Sequence, residues 1–255
     1  QLMFTLGLQG RGLPRAPGDP QGPDAACWEA IRLARAVAAH PGIAHPDADA
    51  LAALLLFHGA RLTGRLDDHG DMVMLPGQPR DRWDRGLVRM AFVHLEAAQR
   101  AQRLSRWHVR AGIAAEHAIA PSYDATDWSR IVAYHDLLLQ LDPSPAPRLS
   151  QAIALTEAGE AERALSLLRA MQPAVPAALR AHHLAALAQA CGALGDLAQA
   201  RQALEAALAC APQEADRRCL QERLQRLLTP ETEPPGHRPG SRPHRAPRPQ
   251  DAERP

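Results

Sequence analysis

Twelve histidines, four cysteines and 28 carboxylates are ample material for metal or acid–base chemistry, so their spacing decides what they do. There is no HExxH motif, and no set of His, Cys, Asp and Glu has the spacing of a structural zinc site. His182 and His183 are adjacent and must point to different faces of a helix, while His58 and His94 fall on apolar faces, the usual setting of a core histidine. Cys27, Cys191, Cys210 and Cys219 make no CxxC pair, and none lies in the basic or helix-start setting that activates a thiol, so reduced, buried thiols are expected. No GxSxG elbow is present, and Gly7, Gly10 and Gly12 do not join a strand to a helix as a phosphate-binding loop would. Asp67, Asp68 and Asp71 surround a turn, where Asp is selected for backbone hydrogen bonds rather than for paired-acid catalysis. The expectation is a protein that is not an enzyme, with no catalytic, cofactor-binding or metal-ligating residue.

The cluster Arg80-Asp81-Arg82-Trp83-Asp84 is different in kind. Alternating charge at a helix start reads either as a solvated first turn or as architecture. In the architectural reading Arg61, Arg65, Arg82 and Asp84 fix a small hairpin against a long helix through bidentate pairs.

The elements that must position these groups follow from composition. The 255 residues are 46% hydrophobic but only 4% aromatic, which favours packed helices over sheets and suffices for one large or two small cores. All 29 basic residues are arginine, and the formal charge of +1 excludes a strongly basic nucleic-acid binder. The longest strongly apolar run, Ala50 to Phe57, is too short to span a bilayer, and no N-terminal signal-peptide layout is visible. A cytoplasmic protein without membrane attachment is expected.

Residues 1 to 23 hold no complete helical period. Asp24 is read as the cap of a helix with Cys27, Ile31, Ala34 and Ala38 at helical spacing, ended by His40-Pro41-Gly42. A second helix runs from about Asp47 to Thr63, with Leu51, Leu54, Leu55, His58 and Leu62 on one face. Asp67-Asp68-His69-Gly70 signals a turn and Met72-Val73-Met74-Leu75 a short strand, so a β-hairpin is expected near 65–75. A long helix then covers about Arg80 to Leu104, with Trp83, Leu87, Met90, Leu95 and Ala98 facing inward.

Beyond it the chain repeats. Ala152, Gly159, Ala164 and Leu168 recur 36 residues later as Ala188, Gly195, Ala200 and Leu204. The stretch from Leu184 through Cys191, Gly195, Ala200, Leu204 and Ala207 to Pro212 resembles a tetratricopeptide repeat. Ala188 and Ala200 are small where two helices touch, Gly195 supplies the turn, and Pro212 ends the second helix. A degenerate copy covers about Trp107 to Pro143 with no small residue at its turn, and an amphipathic helix from about Gln213 to Leu228 is the expected cap. After Thr229, eight of the 23 prolines lie in the last 27 residues, and this segment is expected to be a disordered Pro/Arg-rich tail. Its Arg238, Arg242, Arg245 and Arg248, without aromatics, promise weak, salt-sensitive contacts at most.

A wider resemblance rests on three segments in order: Leu51 to Arg61, then Arg65-x-Asp67-x-x-Gly70 with Met72 to Leu75, then Gln78-x-Arg80-x-Arg82-Trp83-Asp84. Followed by Ile113 to His117, Thr126 to Ile131, Pro143-Ser144-Pro145 and the repeats, they resemble the linker domain and C-terminal extension of a group of extracytoplasmic-function sigma factors. The resemblance covers about residues 24 to 228 and begins where that family's promoter-binding regions have ended. The chain is therefore expected to be a fragment of a longer sigma factor or a truncated relative, with no direct DNA binding of its own.

The resulting expectation is an all-α fold: a helical linker domain over 1–104 with a small β-hairpin, a tetratricopeptide-like array with a capping helix over 105–228, and the tail over 229–255. The resemblance implies a regulatory and interaction region that modulates bacterial transcription initiation through contacts with RNA polymerase or with sigma regions of the same polypeptide. A free-standing repeat scaffold for protein–protein interaction is the alternative. By repeat position, Glu116, Tyr123, Leu149, Ile153, His182 and Gln189 are expected on the partner-binding inner face, and Arg61, Arg65, Asp67, Gly70, Arg82, Trp83, Asp84, Ala188, Gly195, Ala200 and Pro212 carry the structural motifs.

Overall fold

The computed structural model describes residues 23–65, 73–211 and 214–228. These residues are all-helical, without a strand, and form α1 (Pro23–Ala39), α2 (Pro46–Ala60), α3 (Arg85–Ala98), α4 (Arg106–Ile119), α5 (Trp128–Leu141), α6 (Pro145–Glu157), α7 (Ala161–Met171), α8 (Arg180–Ala193), α9 (Leu197–Cys210) and α10 (Glu214–Leu228).

α2 is the hub of the N-terminal half. Rather than showing one apolar face, it buries Ala50, Ala52, Ala53, Leu54, Leu55, Leu56, Phe57, Gly59 and Ala60. It is enclosed by α1, α3 and α4, and a helix packed on several sides has no use for a polar face. α1 begins at Pro23, which places Asp24 inside its first turn rather than at a cap.

Two expectations for the next segment are corrected. The strand expected over Met72 to Leu75 does not form in its described part: Leu75–Gly77 is a 3-10 turn, because Pro76 fixes its own φ and has no N–H to give a ladder. The remainder of the expected hairpin, with Asp67 and Gly70, lies outside the described residues. The long helix expected from Arg80 is also broken. Arg80–Arg82 is a second 3-10 turn, Trp83 is extended, and Asp84 caps α3 by accepting from the N–H groups of Gly86 (2.7 Å) and Leu87 (3.0 Å).

From α4 onward, each helix packs on the next, and α6 also touches α8. Ala111 and Ala115 of α4 belong to the N-terminal core while Ile113 packs on the next one, so this helix joins the two halves across the expected boundary at 104.

The offset of 36 residues is visible in the backbone. Gly159 and Gly195 both adopt the left-handed conformation, with φ of 81° and 79°. After α6, Ala158 N–H bonds Ala154 O, Gly159 N–H bonds Thr156 O, and Glu160 N–H bonds Leu155 O. After α8, Leu194 bonds Ala190, Gly195 bonds Gly192, and Asp196 bonds Cys191 in the same way. Both ends are glycine-terminated helix caps of the Schellman type. Ala152, Ala164, Ala188 and Ala200 are all buried where the paired helices pack. Pro212 and the tail lie outside the described residues.

All four cysteines are free. Cys27 and Cys191 are buried as expected, but Cys210 is exposed at the last turn of α9 and Cys219 half-buried.

A methyl group at Gly195 meets nothing within 4 Å, so its substitution tests backbone strain alone. Gly195→Ala is expected to lower unfolding free energy by ~1 kcal/mol and Gly195→Asn by less, because Asn visits the left-handed region more readily. Ala188→Leu is expected to cost about 1–3 kcal/mol through overpacking. Urea denaturation of the three variants checks both statements.

Candidate partner-binding face

Alternate helices of the C-terminal half bring four polar groups together. Tyr123, in the α4–α5 connection, lies beside the Glu157 carboxylate at the end of α6. Glu157 in turn accepts from the Gln189 side-chain amide of α8. Arg223 of α10 faces Glu157 and Tyr123 and donates through Nη2 to the Ala185 carbonyl of α8 at 3.3 Å. Burial and the nearby Glu157 push the Tyr123 hydroxyl well above the usual phenol range, and burial lowers the Arg223 guanidinium from its own. α6, α8 and α10 thus contribute to one polar line, which the α4–α5 connection completes.

The connection is shaped by three replacements. Thirty-six residues before Ala152, Gly159 and Ala164 stand Glu116, Tyr123 and Trp128. Three bulky residues occupy the places where the later hairpins are small, so α4 and α5 are joined by a long excursion rather than a glycine turn. Trp128 stacks edge-on with Tyr123 (5.0 Å) and His117 (5.3 Å). Glu116 is buried and pairs with Arg130 at 3.2 Å, with burial raising its pKa against that pairing. Gly112 supplies the close approach instead, because a Cβ there would lie 2.9 Å from the Tyr134 ring.

The expected inner-face residues therefore separate. Tyr123 and Gln189 share the polar line, and His182 is exposed in the first turn of α8. Leu149 is a buried core residue with Ile153 packed beside it, and Glu116 is withdrawn into its ion pair. His183, next to His182, is buried with Nε2 2.9 Å from the Leu168 carbonyl. Sequence reasoning missed Glu157 and Arg223. Arg223 had a signal, a charge set inside the apolar run Leu220, Leu224, Leu227; Glu157 had none beyond following Leu149 and Ile153 at steps of four.

Beside this line lies a cationic junction. The Arg61 and Arg80 guanidinium carbons stand 5.1 and 4.1 Å from the centre of the buried Trp83 ring. Arg61 Nε donates to the Gln78 side-chain oxygen at 3.3 Å. Asp84 spends its carboxylate on the α3 cap rather than on an arginine, and Arg61 meets this junction through its stacking contact and Gln78. Arg82 is exposed, with its carbonyl accepting from Thr63 Oγ1. Burial and the charges of Arg65 and Arg80 push Arg61 down to about 9, which leaves it a cation at neutral pH.

Burial, together with the same positive surroundings, keeps three histidines neutral. Burial, then Arg61 and other cations, lower His58 and His117 from 6.5 to about 3; burial and Arg110 lower His135 to about 4. Among the described residues no group of three or more His, Cys, Asp and Glu is arranged to hold a metal ion, and no helix is long and apolar enough to cross a membrane.

The unfolded chain binds protons at these histidines below 6.5 while the folded chain does not until about 3 to 4. Stability is therefore expected to fall as pH drops through 6.5, by up to ~1.4 kcal/mol per pH unit for each histidine. Chemical denaturation across this range checks the sign; His117→Gln should flatten the slope.

Residues 2–99 match a family described as one of unknown function, DUF6596. An uncharacterized protein of Rhizobium meliloti (strain 1021) is 36% identical over 155 residues, which are 60% of this chain and 36% of that protein. The chain thus spans well under half the length of this curated relative. No solved structure matches.

Proposed function

We propose that this chain is the regulatory and interaction region of a bacterial extracytoplasmic-function sigma factor, acting through contacts with RNA polymerase or with the sigma DNA-binding regions. The observation that carries the reading is the polar line of Tyr123, Glu157, Gln189 and Arg223, built by alternate helices on one side of a hairpin series. Such a line offers hydrogen bonds and both signs of charge to a partner surface without any nucleophile or acid–base pair. The ordered resemblance from residues 24 to 228 supplies the class of partner.

In this reading α6 to α9 form tetratricopeptide-like hairpins. The paired left-handed glycines and buried alanines support that assignment, and α10 serves as the cap. The greater length of the Rhizobium meliloti relative accords with a chain that works as part of a larger polypeptide.

Run-off transcription tests the proposal. A sigma factor carrying this chain after its promoter-binding regions is compared with the same protein lacking residues 145 to 228, each with core polymerase. A several-fold change in transcript yield is expected. Unchanged yield contradicts the regulatory role and favours a free-standing repeat scaffold.

A further inference from the structure

A buried guanidinium needs acceptors, and the junction around Trp83 does not supply them. Arg80 stacks on the Trp83 ring, yet its Nε, Nη1 and Nη2 are all shielded from solvent and none has a hydrogen-bond partner. The Trp83 indole N–H is likewise buried and unbonded. Arg61, on the same ring, has an uncharged amide oxygen as its acceptor. No ion pair with a carboxylate is formed by Arg61 or Arg80 among the described residues, and the neighbouring His117 has a buried, unbonded Nδ1. Two cations and two further N–H or ring-nitrogen positions therefore converge without an anion among the described residues. Leaving a buried charge uncompensated is among the most destabilising arrangements a protein can hold.

We infer that Arg61, Arg80, the Trp83 indole N–H and His117 form a binding site for a small oxyanion of the phosphate class. Guanidinium groups present paired, forked N–H donors that match the oxygens of a tetrahedral oxyanion. A phosphate-class anion offers enough oxygens to serve both arginines and the indole together, which a single carboxylate does not. The shielding of the Arg80 nitrogens selects a small group rather than a nucleic-acid backbone. Access follows the Arg80 side chain, which is only partly buried and sits in a three-residue 3-10 turn flanked by the exposed Pro79 and Asp81. Bound there, the anion would tie the 75–83 strap to α2 and α4, next to the polar line at Tyr123.

Thermal denaturation of the full chain, in inorganic phosphate, acetate or chloride at one ionic strength, tests the assignment. Phosphate is expected to raise the midpoint saturably above chloride and acetate. Arg80→Met, which keeps the stem on Trp83 and removes the charge, should abolish that rise while leaving the midpoint in chloride unchanged or higher. Arg163→Gln, at an exposed pair with Glu160 on α7, should keep the rise. Equal midpoints in the three anions, an equal response to acetate, or a rise that persists in Arg80→Met would overturn the site. So would an Arg80→Met chain that is destabilised or unfolded in chloride, because Arg80 would then be satisfied without an anion.

Discussion

Two helices can lie close together only where neither presents a bulky side chain, and that constraint organises the C-terminal half of this protein. Ala152 with Ala164, and Ala188 with Ala200, are buried at the packing surfaces of successive pairs. Gly159 and Gly195 reverse the chain in the left-handed conformation after α6 and α8. Small residues at four places and glycine at two let the rods pack closely. The first pair departs from this scheme at the corresponding positions: Glu116, Tyr123 and Trp128 replace Ala, Gly and Ala. Their bulk widens the connection and projects Tyr123 toward Glu157. The exception that brings Tyr123 to the polar line falls at one of the positions by which the rule builds the series.

The second organising feature is electrostatic. With arginine as its sole strong base, the chain uses guanidinium groups where lysine would be poorly suited, flat against an indole and inside the fold. Burial, reinforced by the cations at Arg61, Arg65, Arg80 and Arg110, holds three nearby histidines neutral far below their ordinary range. They are buried bases whose protonation opposes folding.

Helices with repeated small residues were legible from sequence because periodicity and the offset of 36 residues are properties of the chain alone. The segment between α2 and α3 was not. Its apolar residues read as a strand and the start of a long helix, but Pro76 forbids the first and Asp84, as a cap, divides the second. The candidate face was half legible. Tyr123 and Gln189 followed from repeat position, whereas Leu149 turned into the core because the neighbouring pair covers it. Glu157 and Arg223 come near one another only across α6 and α10, a proximity of distant residues that no local pattern announces.

The polar side shared by α6, α8 and α10 is the centre of this account, and hydrogen exchange in the presence of core RNA polymerase tests it most directly. Slowed exchange is predicted for backbone amides around Tyr123, at the end of α6, in the middle of α8 and around Arg223, with α7 and α9 unaffected. Protection confined to α7 and α9, or no change anywhere in the chain, would contradict it.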